Sequence, residues 1–145
     1  MIAIDTNIMV YAHCENSPFH KKALLKLKAL SEGSELWAVP VFFFVEFVRV
    51  VTHPKLLNPP TSIEAALTVI NQIKTSPSLR VLYPQARFCE LFEDLCRNAR
   101  VRGNLAFDAQ IVAVMIENGV DTLLSEDRDF CRFSLIRVNS LDGRV

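Results

Sequence analysis

The sequence predicts an α/β fold in which a mainly parallel sheet of four to five strands is flanked by helices. The first observation is that short apolar segments alternate with longer segments of helical periodicity. The second is that capping and turn residues separate these segments. The third is the length of 145 residues, half of them hydrophobic, which suits a single domain over residues 1–145.

The first predicted strand is MIAI, and the second is ELWAV. Both are short apolar runs, which are typical of strands buried in a parallel sheet. The segment SPFHKKALLKLKALSEG between them predicts a helix, because Ser17 suits the N-cap, Pro18 suits the first helical position and Gly33 suits the exit. Together these segments make the first strand–helix–strand unit.

Two further helices are predicted between about residues 43 and 75. Pro40 begins the first of them, which continues to about Thr52. Thr61 and Glu64 form a capping-box pattern ahead of AALTVINQIK, the second helix. Because this pair breaks the strict alternation of strands and helices, it is interpreted as a helical insertion.

The carboxyl-terminal half supplies the remaining strands, which are LRVLY, VDTLL and LIRV. The segment ARFCELFEDLCRNARV has the apolar stripe of an amphipathic helix. The segment NLAFDAQIVAVMIENG is apolar almost all round, which predicts a buried helix ended by Gly119. Since helices separate the strands from MIAI to VDTLL, the strands are expected to run mainly parallel.

Charge and cysteine content exclude several classes of protein. Lys and Arg number 16 and Asp and Glu number 16, so the formal net charge is zero, whereas a protein that only coats nucleic acid is usually basic. The four cysteines lack the spacing of a zinc site. No signal peptide and no apolar run long enough to span a bilayer is evident. We therefore expect reduced thiols, a cytoplasmic location and no membrane contact.

Acidic residues occur where such sheets bind ligands, which is beyond the carboxyl ends of the strands. Asp5 follows the first strand, and Asp127 and Asp129 follow the fourth. Glu46 and Asp108 lie in the early turns of two otherwise apolar helices. These side chains are expected to converge on one edge of the sheet.

Each acid also has a structural interpretation. Asp5 and Asp127 suit turns or caps, Glu46 has an ion-pair partner three residues on in Arg49, and Asp108 suits the positive end of a helix dipole. As a cluster they are costly, because like charges about 4 Å apart repel by about 4 kcal/mol at an effective dielectric of about 20. Carboxylate oxygens favour Mg²⁺, with Mn²⁺ as a substitute, and such a site suits phosphodiester hydrolysis.

Four segments, IAIDTN, VFFFVEFVRVV, LAFDAQIVAVMIENG and LLSEDRDF, together resemble the PIN-domain ribonucleases, and within them the VapC toxins of bacterial toxin–antitoxin modules. The resemblance covers nearly the whole chain and departs mildly at Ser125, where the family usually carries Thr. It implies a PIN-like fold and a Mg²⁺-dependent endoribonuclease acting on structured RNA, commonly transfer or ribosomal RNA. It also implies a homodimer and a cognate antitoxin protein that occludes the site.

The resemblance further implies roles for individual residues. The catalytic cluster would comprise four carboxylates, Asp5, Glu46, Asp108 and Asp127. The metal ligands would be Asp5, Asp108 and Asp127, with Asp5 as the principal one. The supporting residues would be Asn7, Ser125 and Asp129. No histidine is needed as a base in this hypothesis, because the metal activates water.

Basic side chains near the acids predict where RNA binds. Guanidinium groups suit phosphate geometry, and the segment RNARVR just ahead of Asp108 carries three of them, Arg97, Arg100 and Arg102. The lysines of the helix that ends at Gly33 form a second basic group, which is interpreted as a solvated helix face. The arginines are therefore the predicted RNA-binding residues.

Two other classes of function stay open at this point. A haloacid-dehalogenase-like phosphatase also begins with an Asp after the first strand, but it requires a second Asp where this chain has Asn7. A non-catalytic RNA- or protein-binding module of PIN-like fold would use the acids only as caps. Metal binding distinguishes a nuclease from a non-catalytic module, because a divalent cation stabilises a protein with an active acidic cluster.

Overall fold

The computed structural model describes residues 1–144, and its elements occur in the predicted order with additions at both ends of the chain. The strands are β1 (Ile2–Ile4), β2 (Trp37–Pro40), β3 (Leu79–Leu82), β4 (Thr122–Leu124), β5 (Arg137–Ser140) and β6 (Gly143–Arg144). The helices are α1 (Thr6–His13), α2 (His20–Glu32), α3 (Phe42–Val51), α4 (Ile63–Lys74), α5 (Phe88–Asn98) and α6 (Leu105–Glu117). A short 3₁₀ helix spans Arg128–Arg132.

The strands form one sheet with the order β3-β2-β1-β4-β5-β6. Strands β1 to β5 run parallel, which confirms the predicted mainly parallel sheet, and the short β6 pairs antiparallel with β5. Ile4 is in register with Leu124, and the backbone N–H of Asp5 donates to the carbonyl of Leu124 at 3.0 Å. The residues that follow β1 and β4 are thereby held side by side.

The order of the strands places a topological switch point between β1 and β4. From β1 the chain proceeds outward to β2 and β3, and it then returns to the other side of β1 to form β4 and β5. At such a point the connections leave the sheet in opposite directions, which opens a crevice beyond the carboxyl ends of the two central strands. The fold therefore offers a binding site where Asp5 and Ser125 emerge.

The helix pair predicted between about residues 43 and 75 is present as α3 and α4. It is the second of three pairs, because α1 and α2 connect β1 to β2, and α5 and α6 connect β3 to β4. The chain thus uses two packed helices for each of these parallel crossovers.

Two hydrophobic clusters lie on opposite faces of the sheet, because successive side chains of a strand point to opposite sides. Ala3 and Leu123 belong to the cluster that packs against α5 and α6. Ile4 and Leu124 belong to the cluster that packs against the first four helices. All four side chains are almost fully buried, so the two central strands are covered on both faces and only their ends reach the solvent.

The ends of several elements differ from the sequence prediction. The helix predicted to begin at Ser17 and Pro18 begins at His20, although Gly33 does lie at its C-cap. Pro40 is the last residue of β2 rather than the first of a helix. The N-cap of α4 is Ser62, whose hydroxyl accepts from Ala65 N–H at 3.2 Å, because the adjacent hydroxyl of Thr61 is bonded to the His13 ring instead.

No helix among residues 1–144 has the length and apolar character needed to cross a bilayer. The four cysteines are free thiols, with Cys89 and Cys131 exposed and Cys14 and Cys96 half-buried.

Candidate active site

Asp5 sits at the end of β1 and begins α1, yet its side chain makes no capping bond to that helix within the described residues. Its Oδ2 atom instead accepts a hydrogen bond from Ser125 Oγ at 2.7 Å. Asp5 thus occupies the N-cap position of α1, and the bond from Ser125 gives its side chain a partner outside that helix. The carboxylate is bonded across the sheet to the residue that follows β4.

Burial makes the ionised form of Asp5 costly, because only 4% of the residue is exposed. Desolvation is the main reason that its pKa rises from 3.8 to about 7. The Ser125 hydroxyl lowers the pKa, whereas the negative charges of Glu46 and Asp127 raise it further. A nearby cation would favour the charged form and reverse this shift.

Ser125 connects two acids through one buried hydroxyl group. Its Oγ accepts from the backbone N–H of Asp127 at 2.9 Å, which leaves the hydroxyl proton to donate to Asp5. The residue is fully buried, and its own N–H donates to the carbonyl of Asn139 in β5. Ser125 thus fixes the position of Asp5 relative to the loop that carries Asp127.

Asp108, Asp127 and Asp129 form a compact acidic cluster. One carboxylate oxygen from each lies within 4.8 Å of the others. Asp108 is in the first turn of α6, and the other two belong to the loop and 3₁₀ helix after β4. Asp127 Oδ1 also accepts the backbone N–H of Asp129 at 2.8 Å, which holds the loop in shape.

The electrostatic cost of this cluster is concentrated on Asp108. Its pKa rises to about 7, first because of desolvation and then because of the charges of Asp127, Asp5, Asp129 and Glu46, in that order. All four of these neighbours are acids, so the five carboxylates together create a region of negative potential. Oxygen ligands at such a density suit a hard divalent cation.

Glu46 projects from α3 toward the other acids and is only partly solvated, with 36% of its side chain exposed. Its Oε2 accepts from Thr6 Oγ1 at 3.0 Å, and Thr6 is itself buried in the first turn of α1. Its Oε1 lies 3.8 Å from the Arg49 guanidinium, so the ion pair suggested by the sequence exists but is long. Thr6, rather than Arg49, fixes the carboxylate.

These groups open onto a cleft of about 680 Å³. The acids that line it are Glu46, Asp108, Asp127 and Asp129. The polar and basic side chains are Arg49, Asn104 and Gln110. The apolar ones are Phe42, Val45, Leu105 and Phe107. Asp5 is not among the lining residues because it lies beneath the cleft, bonded to Ser125.

The predicted site residues separate into two groups. Asp5, Glu46, Asp108, Asp127, Asp129 and Ser125 lie together at the switch point, and Asn7 is half-buried in the adjacent first turn of α1. Arg97, Arg100 and Arg102 are exposed on and after α5, outside the residues that line the cleft. Arg97 is engaged by Glu93 and Asp94 at 2.9 and 3.4 Å.

Sequence reasoning missed four residues of this site. Thr6 was not assigned because a Thr after a strand carries no chemical signal until Glu46 is placed beside it. Asn104, Phe107 and Gln110 precede or surround Asp108 in α6 and its N-cap, and their helical spacing was the available signal. Asn104 and Asp108 are four positions apart and Phe107 and Gln110 are three apart, so each pair shares a face of the helix, and all four residues line the cleft.

The comparisons with known proteins agree with this architecture. The PIN domain family model matches residues 2–135. Ribonuclease VapC48 of Mycobacterium tuberculosis is 35% identical over 138 residues, with 92% of each chain covered. VapC ribonuclease Mb2897 of Mycobacterium bovis is 32% identical over 146 residues, covering all of this chain and 99% of the relative.

A solved structure has the same fold. The crystal structure of VapBC2 from Rickettsia felis, bound to a DNA fragment from their promoter, superposes with a TM-score of 0.71 at 18% sequence identity. The match covers 97% of this chain and 98% of that chain. The family match over most of the chain and the VapC relatives confirm the resemblance seen in the sequence, and the chain belongs to the PIN-domain family, among the ribonucleases of the VapC type.

Proposed function

We propose that this chain is the Mg²⁺-dependent endoribonuclease toxin of a toxin–antitoxin module and that it cleaves structured RNA at the acidic cleft. The observation that carries the proposal is the clustering of Asp108, Asp127 and Asp129 within 4.8 Å, beside a buried Asp5. Transfer and ribosomal RNA are the proposed substrates. The family membership supports the reaction class.

The residues present fit a divalent cation. Asp5 and Asp108 both have pKa values raised to about 7, so near neutral pH these two carboxyl groups are partly protonated, and a cation would favour their ionised forms. We assign Asp5, Asp108 and Asp127 as ligands, with Asp129 as an accessory acid. When bound, the cation would activate water and offset charge on the phosphoryl group.

The protein's own side chains would orient this chemistry. The Ser125 hydroxyl holds Asp5, and Thr6 holds one oxygen of Glu46. The other oxygen of Glu46, Oε1, lies 3.8 Å from the Arg49 guanidinium, and it is the oxygen that would accept a proton from water at the cleft surface. Asn7 would support the turn that joins Asp5 to α1.

Cleavage of RNA with and without a chelator tests the proposal. We expect the unsubstituted protein to cut transfer or ribosomal RNA with Mg²⁺ or Mn²⁺ and to lose activity in excess EDTA. The Asp127→Asn variant should be at least about 100-fold slower, because the cation contributes several kcal/mol to the barrier. Asp142→Asn is the matched control, since Asp142 is an exposed carboxylate paired with Lys22, away from the cleft and from the proposed RNA-binding arginines.

Cleavage that persists in EDTA would contradict the metal assignment. Metal-independent RNA binding without cleavage would instead favour the non-catalytic module. Hydrolysis of small phosphate monoesters but not of RNA would favour the phosphatase.

The RNA-binding surface is proposed to include Arg97, Arg100 and Arg102. We expect Arg100→Ala and Arg102→Ala to weaken RNA binding and to reduce the slope of log K against log salt by up to about one each, because each phosphate contact releases a counterion. Filter binding or fluorescence anisotropy over a salt series measures this. Arg100 has a φ of 51°, and alanine retains the same backbone strain, so the variant isolates the charge.

Arg80 supplies the control for this series. It lies in the edge strand β3, and its guanidinium donates to the carbonyls of Pro77 and Leu79. Its replacement by alanine should leave the salt slope unchanged. If Arg100→Ala and Arg102→Ala have the same salt slope as Arg80→Ala and the unsubstituted protein, these arginines do not contact the RNA phosphates.

The proposal includes a cognate antitoxin, a homodimer and a cytoplasmic location. The similarity in fold to VapBC2 supports the antitoxin. A protein antitoxin that occludes the cleft should suppress cleavage at one equivalent per site.

The proposed homodimer is tested by its mass in solution. Light scattering should give twice the monomer mass, and a mass equal to one chain would contradict the dimer.

A further inference from the structure

We propose that Phe107 is the platform on which an unpaired nucleobase of the RNA substrate stacks, next to the scissile phosphate. The inference rests on the proposed ribonuclease function and assigns a binding residue to it. Phe107 immediately precedes Asp108 in α6 and lines the same cleft as the acidic cluster.

The exposure of Phe107 sets it apart from the rest of its helix. Phe107 is 60% exposed, whereas Leu105, Ile111 and Met115 of the same helix are buried in the core. Its ring is therefore not required for packing α6 against the sheet. Single exposed apolar residues are common on proteins, and it is the charged and polar side chains around this one that indicate a binding role.

The surroundings of Phe107 are those of a nucleotide site. Arg49 is the cation that lines the cleft within the described residues, and its side chain is 61% exposed, which leaves the guanidinium accessible to a phosphate. Asn104 and Gln110 offer amide donors and acceptors that match the edges of a base. An aromatic face, a guanidinium and two amides around one acidic cluster provide partners for the base and the phosphate of a nucleotide.

The charge of the cleft argues against an apolar protein segment as the occupant. Docking such a segment on Phe107 would desolvate Glu46, Asp108 and Asp127 without supplying opposite charge, which is costly. An RNA strand brings its own divalent cations and keeps these carboxylates compensated. A base inside a duplex is already stacked on both faces, so only an unpaired base can use the ring.

Substitution at Phe107 tests this inference. The substrate is an RNA hairpin with 2-aminopurine in its loop, compared with a blunt duplex of the same strand. We expect Phe107→Leu to raise KM for the hairpin about tenfold with kcat changed by less than about threefold, because a base–aromatic stack is lost. Phe107→Trp should retain the KM of the unsubstituted protein. Since Phe107 is exposed, both variants are expected to fold. A third variant, Phe107→Gln, also lacks the aromatic ring and should raise KM as Phe107→Leu does.

The matched control is Tyr83→Leu, which removes an equally exposed aromatic ring, 57% exposed, that is not among the residues lining the cleft. It should leave KM unchanged. In an Asp127→Asn background, where the RNA stays intact, binding should quench 2-aminopurine fluorescence, and Phe107→Leu should remove most of the quenching.

Three outcomes would overturn the inference. The first is an unchanged KM and unchanged quenching in Phe107→Leu while the unsubstituted protein cleaves RNA, which leaves the ribonuclease proposal intact. The second is a change of oligomeric state in Phe107→Leu, measured by light scattering, which would place the ring in a protein interface. The third is an absence of RNA cleavage and binding by the unsubstituted protein, which would remove the proposed function itself.

Discussion

In excess chelator at about pH 8, the Asp5→Asn variant should be more stable than the unsubstituted protein and should have lost RNA cleavage. The buried carboxylate of Asp5 has its pKa raised from 3.8 to about 7, so its ionised form opposes folding. One pKa unit corresponds to about 1.4 kcal/mol, and the shift therefore sets an upper value of about 4 kcal/mol for the gain. Asparagine keeps an oxygen that accepts from Ser125.

The pH dependence gives this prediction its sign. A carboxyl whose pKa is raised in the folded state binds more protons when folded, so stability falls as the pH rises through the interval between the two pKa values. The advantage of Asp5→Asn should therefore be near zero at about pH 4, grow up to about pH 7 and stay constant above it. Urea unfolding followed by circular dichroism at several pH values measures it.

The RNA cleavage activity of Asp5→Asn should fall although its stability rises. We expect cleavage by Asp5→Asn to fall at least about 100-fold at saturating Mg²⁺, because a principal ligand is removed. Asp142→Asn, in the exposed turn between β5 and β6, should alter neither stability at about pH 8 nor cleavage beyond small effects. Full activity of Asp5→Asn at saturating Mg²⁺ would rule out the role assigned to Asp5.

Divalent cations should stabilise the unsubstituted protein, and this effect should disappear in the Asp5→Asn/Asp108→Asn double variant. A ligand that binds only the folded state at about 100 times its Kd adds about 2.7 kcal/mol to the free energy of unfolding. Thermal melts over a Mn²⁺ titration measure the shift in Tm. The double variant should melt at the same temperature with and without Mn²⁺.

The single variants distinguish the ligands. The ligand set assigned to the cation contains Asp5, whereas the oxygens that lie within 4.8 Å of one another belong to Asp108, Asp127 and Asp129. If Asp129→Asn weakens the Mn²⁺ shift more than Asp5→Asn does, Asp129 is the direct ligand and Asp5 acts through its charge. A Mn²⁺ shift that survives in the double variant would exclude the acidic cluster as the binding site.

The order of strands and helices was predictable because local patterns encode it. Short apolar runs such as MIAI and VDTLL became β1 and β4, and the buried character of NLAFDAQIVAVMIENG gave α6 with Asp108 in its first turn. Helix α1 was missed, because Thr6–His13 is short and Asp5, which marks its start, was weighed as a turn or site residue instead. Element ends such as His20 and Ser62 were misplaced by one to three residues, since neighbouring hydroxyls and prolines offer equivalent local signals.

By itself the sequence determined the α/β class, the parallel sheet, the family and the set of acids that follow the strands. The tertiary structure alone decided how these acids are arranged. Strand order brings Asp5 and Ser125 into contact although 120 residues separate them, and burial at that contact sets the pKa of Asp5. The same packing leaves Phe107 exposed beside the cluster. Hydrogen-bond partners, desolvation and exposure depend on distances between segments remote in the chain, and no local pattern specifies those distances.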